Sequence, residues 1–503
     1  MQDGVKIIEN AYVLACDPSG SGGLMTVVVR NGRIAALLTS GQGARQTYPQ
    51  AEVVDAAGRV LLPGFVDAHY HGESYILDIL AAGEPADRWA ENERMQSALT
   101  FLRERATTED WVRLYRCAYY AALRSGITTI VEFGFGGNDA AFAASVEALL
   151  KTDLRGFVGA HTGDQIEAAR TLRNPNVRPL LVLPPAEELT TYNLQTTLRQ
   201  ARDLGLPLIT HLGETLREAE YIRRNFRKSS VQVLDEYQMF STRQLPTHLS
   251  VLDVNDADIL HKSNARVILA PAAAMRKGVE LPPVERLIDA DVTMVLGSDW
   301  GTLRPWENMR ALWEMAALSS ENMMSAASVL MTHTHAGAQL LGMDSEIGAI
   351  LPGKRADFVF MRCTDAGVRA AMETEGPAVV SELLLHRAST ADITEVMING
   401  EFFVRESEVL TYAAEDLAAD MRLLMQIAAP ISLHTRSSLG TPVIAIPPSP
   451  AEEGAGQPFE EGFRVVRKEN TPTTTPILPL PPPSRSAEEL GPNVRKVFGD
   501  EDV

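Results

Sequence analysis

Two histidines one residue apart, His69 and His71, close the apolar run LLPGFVDAHYH at residues 61 to 71. On a strand, side chains at i and i+2 point to one face. Two neutral imidazoles turned the same way are half of a site for a divalent transition ion. Other apolar runs end in residues of the same chemical kind: LPLITHLGE holds His211 with Glu214 three residues on, QLPTH ends in His248, and VTMVLGSD ends in Asp299. A lone His211 or His248 would be read as a structural histidine satisfied in the core, but recurrence at the ends of four runs reverses that reading. His69, His71, His211 and Asp299 together offer three imidazoles and a carboxylate, a set suited to Zn²⁺ and tolerable to Fe²⁺. Water on such an ion ionises near a pKa of roughly 7, which makes hydroxide available as a nucleophile. Glu214 can then move a proton from the water to a ring nitrogen or a leaving group; its plainer reading is a carboxylate at a helix N-terminus. His248 can hydrogen-bond the water or the polarised substrate atom, while Asp299 can hold the ion and relieve the water of its proton. Glu214, His248 and Asp299 are therefore the catalytic candidates.

These groups can meet only if the strands that carry them end together. Eight near-continuous apolar runs are predicted as strands buried on both faces: 61–69, 126–134, 155–163, 178–185, 206–214, 244–252, 265–271 and 292–300. Helical patterns such as DAAFAASVEALLK and TYNLQTTLRQARDLG lie between most of them. Alternating strands and helices predict an α/β fold, a (β/α)8 TIM barrel, in which chemistry gathers at the C-terminal strand ends. The flanking β-rich stretches are each too short to close a core, so they are expected to pair into one small composite β-sandwich built from both chain ends. The divisions expected are 1–60 for the first part of the sandwich, 61–343 for the barrel, 344–412 for the second part and 413–435 for a C-terminal helix. From 436 to 503 a Pro-rich tail is expected to be extended or disordered, since twelve of the 29 prolines fall after residue 440. Segment 72–125 is too long for a turn and is expected to form helices and a lid over the barrel mouth. Trp89, Glu132, His161 and Trp300 are further candidates to face a substrate. A second H-x-H, His333 and His335, falls in a helical pattern that splits the rings to different faces, and reads as structural.

A net charge of -19 over 503 residues argues against nucleic acid, which requires clustered Lys and Arg, and favours a small or neutral substrate. The three cysteines, Cys16, Cys117 and Cys363, are too scattered for a zinc ribbon or a disulfide framework and read as reduced thiols. No run approaches the length of a membrane span, and the N-terminus lacks the pattern of a signal peptide, so a cytoplasmic protein without a membrane partner is expected.

LLPGFVDAHYH, RSGITTIVEF, ITHLGET, THLSVLDVNDADIL, VLGSDW and IGAILPGKRADFVFM together resemble the amidohydrolase superfamily. The likeness spans roughly residues 5 to 425 and is strongest to the branch of s-triazine chlorohydrolases, S-adenosylhomocysteine and methylthioadenosine deaminases and guanine deaminase. It implies a barrel with a composite β-sandwich, and hydrolytic deamination of an amino-substituted heterocycle, or a similar displacement, by metal-bound hydroxide. It puts His69, His71, His211 and Asp299 in the metal-ligand places, Glu214 in the proton-shuttle place and His248 in that of the strand-six histidine. A homo-oligomer, a dimer, is also implied. Dinuclear members bridge two ions with a modified lysine at the end of strand four; RPLLVLPPAEE has no lysine, so one divalent ion, Zn²⁺ before Fe²⁺, is expected. Two segments depart from the nucleoside-type pattern: Pro184, Pro185 and Ala186 after strand four, and LAPAAA, residues 269 to 274, at strand seven. Neither binds the metal in relatives, and both leave the substrate open. The rival readings are hydrolysis of a cyclic amide C–N or carbon–halogen bond on the same scaffold, and a catalytically inactive barrel.

Overall fold

Eight short strands form one parallel sheet, in chain order: Phe65–Tyr70, Ile127–Glu132, Arg155–Ala160, Val177–Val182, Leu208–Leu212, Gln244–His248, Arg266–Leu269 and Thr293–Leu296. The first and eighth meet through a parallel bridge between Tyr70 and Asp299, where the Asp299 amide donates to the His69 carbonyl at 2.8 Å. The sheet is thus a nearly closed (β/α)8 barrel. This computed structural model describes residues 4–39, 42–81, 83–172, 174–240, 244–301, 303–319 and 324–428; the Pro-rich tail expected from 436 lies outside them. Among the described residues no helix is long and apolar enough to cross a membrane.

The apolar pattern explains the layers. Val66, Ala68, Val131, Phe157, Leu180, Val182, Ile209, Leu245, Ile268 and Val295, one or two from each strand, fill the barrel interior. Alternate residues such as Phe65, Val158, Leu181, Leu208, Val267 and Leu296 pack outward under the helices. Asn138, Thr162, Thr190 and Thr215 accept backbone hydrogen bonds as N-caps of the helices that follow strands two to five. The ends of these four strands are therefore each followed by a capped helix start three to nine residues on.

The run LLPGFVDAH, expected as one strand, divides between two sheets. Arg59–Pro63 pairs antiparallel with Phe358–Arg362 in a separate nine-stranded mixed sheet built from both chain ends, and the barrel begins at Phe65. Gly64 makes the crossing, because a Cβ there would lie 2.1 Å from Thr128 Oγ1. The mixed sheet encloses its own core of Ile8, Val13, Val27, Val29, Leu61, Phe358, Phe360 and Met397, contributed by both ends of the chain. Segment 72–125 forms helices Ser74–Ala81, Glu93–Glu104 and Thr108–Arg124 with a short 3₁₀ turn at Ala86–Arg88. The stretch expected as one helix around His333 is two, Ala326–Thr332 and His335–Leu340, broken at Thr334. Cys16, Cys117 and Cys363 are buried free thiols, their pKa values pushed up by burial to about 12, 12 and 11.

Candidate metal centre and catalytic site

The first strand aims its histidines by a local irregularity. Between Asp67 and Tyr70 it carries one residue more than the paired stretch Ile130 to Glu132, a β-bulge that shifts the inward and outward alternation by one. Val66 and Ala68 face the barrel interior, and after the bulge so do His69 and His71, while Tyr70 packs outward. The seam with strand eight fixes this arrangement. Asp67, which faces away from the site, accepts from the Ser298 amide at 2.9 Å, the His69 amide at 3.3 Å and the Ser298 hydroxyl. Gly297 lies so close to the first strand that a Cβ would stand 2.7 Å from the His69 nitrogen, which is why a glycine follows the eighth strand.

At the mouth, ligand atoms of His69, His211, His248 and Asp299 all lie within 4.8 Å of one another. The His69 and His71 rings are 4.9 Å apart, and their Nε2 atoms lie 3.4 and 3.5 Å from Asp299 Oδ1. His211 Nε2 is 2.9 Å from His248 Nε2 and 3.8 Å from Glu214 Oε2. All six metal and catalytic candidates read from the sequence thus converge in one place. Both His248 (φ 70°) and Asp299 (φ 53°) hold left-handed backbone, uncommon outside glycine, which turns the chain at the strand ends.

Electrostatics fit a cation. His69 is fully buried, neither of its ring nitrogens has a hydrogen-bond partner, and Asp299 Oδ1 has none either. Buried polar atoms are rarely left unmatched, and His69 Nε2 and Asp299 Oδ1, 3.4 Å apart, are two that face each other with room for a shared cation as their partner. Burial drives the His69 pKa down to about 3 and pushes those of His211 and His248 below the ordinary value, so the imidazoles are neutral, the form that coordinates metal. Burial works against the Asp299 carboxylate, but Lys277, His69 and His248 hold its pKa well below the usual range. His71 is the exception: burial opposes its charged form, and the Glu73, Asp299 and Glu132 carboxylates override that to raise its pKa. Its Nδ1 lies 3.2 Å from Glu73 Oε1, which leaves Nε2 facing the centre. This donor set matches a divalent transition ion.

The remaining candidates separate. Trp300, half-buried, has its ring 6.1 Å from that of His71 and 4.8 Å from that of Trp89, so segment 72–125 and the end of strand eight build an aromatic wall at the mouth. His161 stands behind Phe133, with Nε2 2.8 Å from the Phe133 carbonyl oxygen, and does not join the converging groups. Glu132, expected among residues facing a substrate, is fully buried; it accepts from the amides of Gly72 at 3.0 Å and Gly134 at 3.1 Å, and so buttresses the turn after His71.

Two residues at the site escape sequence reading. The Phe133 ring lies 4.8 to 5.5 Å from those of His69, His71 and His211 and forms the apolar floor beside them. Its signal was its place one residue past strand two. Lys277, on helix Pro271–Lys277, reaches its ammonium to Asp299 Oδ2 at 2.8 Å and contacts Glu214 Oε1. Burial disfavours its charge, yet Asp299 and Glu214 raise its pKa above the ordinary lysine value. A lone lysine in PAAAMRKG, eight residues beyond the end of strand seven, carries no sequence signal of this inward reach.

The profile of the Amidohydrolase family matches residues 60–402. A 5-methylthioadenosine/S-adenosylhomocysteine deaminase of Syntrophobacter fumaroxidans is 26% identical over 451 residues, 84% of this chain and 98% of the relative. Among solved structures, an adenosine deaminase from Xanthomonas campestris with bound zinc superposes with a TM-score of 0.74 at 20% identity, over 85% of this chain and 99% of that one. Atrazine chlorohydrolase from Arthrobacter aurescens TC1, complexed with zinc, gives 0.70 at 19% identity, over 84% and 100%. These two likenesses show a shared fold. The chain belongs to the amidohydrolase family and is a hydrolase acting on carbon–nitrogen bonds other than peptide bonds.

Proposed function

We propose that the chain is a mononuclear metal-dependent aminohydrolase that replaces an exocyclic amino group of a heterocycle with oxygen from water. The observation that carries this reading is the convergence of His69, His211, His248 and Asp299, with both His69 nitrogens and Asp299 Oδ1 buried and unpartnered. The deaminase name of the relative aligned over almost its whole length supports the reaction. His69, His71, His211 and Asp299 would hold one divalent ion, Zn²⁺ in preference to Fe²⁺, which supplies Lewis acidity toward water and the substrate's ring. Glu214, beside His211 and buried, carries the proton to the ring nitrogen or the departing amine. His248, neutral because burial lowers its pKa, offers Nε2 to the water or the developing negative charge. Asp299, kept as a carboxylate, is the base nearest the histidines. Trp89 and Trp300 close one side of the substrate's ring, with His161 further out behind Phe133. A cytoplasmic homodimer is part of the same reading.

The test is ammonia release from a panel of purines, pterins, pyrimidines and triazines by the purified protein. Ammonia in step with loss of one substrate is the expected result. Ring-opened or dehalogenated product with no ammonia from any substrate rejects deamination.

A further inference from the structure

Lys277 is a buried cation inside the site, and nothing in the proposed chemistry uses it. Its helix starts with Pro271 at the first turn and stops at Gly278, whose left-handed φ of 66° ends the helix just after the lysine. The side chain is 9% exposed and its ammonium sits between Asp299 Oδ2, at 2.8 Å, and Glu214 Oε1. Asp299 is thereby divided: Oδ1 faces His69 and His71, Oδ2 faces the lysine. A second set of ligand-type side chains adjoins the first and shares His211 with it: His211, Glu214 and Glu218, with ligand atoms within 4.8 Å of one another. Glu218 Oε2 also accepts from the Glu214 amide at 2.9 Å, which brings the two glutamates together. The second set offers an imidazole and two carboxylates, donors that a divalent ion takes, and the ammonium engages Glu214 of this set and Asp299 of the first. Because it is already paired with two carboxylates and buried, Lys277 is poorly placed to bind an anionic substrate.

We propose that Lys277 is the resident second cation of this site: its ammonium holds Glu214 and Asp299 in place beside the metal centre and excludes a second divalent ion. A fixed single charge takes the place of an exchangeable double one, so the glutamate stays free of metal and available for proton transfer. This rests on the metal-dependent reading above.

The test is titration of full-length protein, stripped by a chelator, with Zn²⁺ and Co²⁺, the number of ions being read by calorimetry and by the cobalt absorption spectrum. Wild type and Lys277→Arg are expected to saturate at one ion per chain. Lys277→Gln is expected to rise from about one ion to about two, since two carboxylates are left without their cation. Should Lys277→Gln not fold, Lys277→Met keeps the apolar stem in the buried slot and is read the same way. A neutral variant that still saturates at one ion overturns the proposal, as does a wild type that takes two. A wild type that takes none removes the metal reading itself, and this inference with it.

Discussion

The leading histidines of two H-x-H pairs, His69 and His333, sit at opposite ends of the same barrel strand, and their surroundings make them different chemical objects. His333, at the base, reproduces a strand neighbour: its Nδ1 donates to the Val66 carbonyl at 3.0 Å, and its own carbonyl accepts from the Val66 amide at 2.7 Å. His69 and His71, at the mouth, face Asp299, His211 and His248. Burial lowers the pKa of His333 to about 4 and that of His69 to about 3, so burial alone does not distinguish them. Convergence does. Among the groups shifting the His333 pKa no carboxylate appears, whereas Asp299 and two further histidines act on His69.

The largest effect expected from sharpening this contrast is at Glu214. Glu214→Gln should lower kcat by about 10² to 10⁴ while metal content holds, because the amide keeps the shape and loses the proton relay. Unchanged turnover with full metal would assign the relay elsewhere. The next effect belongs to the base of the strand. Folded His333 stays neutral down to about pH 4, whereas in the unfolded chain it takes a proton near 6.5. Between these values the unfolded state binds more protons, so His333 makes stability fall as pH falls from about 6.5 to about 4. The loss amounts to about 3 kcal/mol, present in wild type and absent from the slope of His333→Asn. Denaturant unfolding at a series of pH values checks it; parallel curves for the two proteins would contradict it. The smallest effect is at the wall of the mouth. Trp300→Ala should raise KM about five- to tenfold with kcat little changed, since the ring borders the site without touching the converging ligand atoms. A collapse of kcat in steady-state assays would instead place Trp300 among the reacting groups.

The barrel and its candidate site residues were legible because buried parallel strands read as apolar runs, and because His69, His71, His211, His248 and Asp299 stand where those runs stop. What stayed hidden depends on contacts between distant segments. The crossing at Gly64 is set by Thr128, and the bulge before Tyr70 by the pairing with strand two. Neither leaves a periodic signal, so LLPGFVDAH reads as one strand although it serves two sheets. The helix break at Thr334 comes from His333 docking on Val66 rather than from a helix-breaking residue type. Lys277 was illegible for the same reason: its inward reach follows from the carboxylates of strands five and eight, far away in sequence.

The central claim is that the mouth pair holds a metal and the base pair does not. Elemental analysis of purified wild type, His69→Ala and His333→Ala, each verified as folded by circular dichroism, tests it most directly. The account predicts about one divalent ion per chain in wild type and in His333→Ala, and stoichiometric loss in His69→Ala. A folded wild type without stoichiometric metal, or a His69→Ala protein that retains it, would contradict the account.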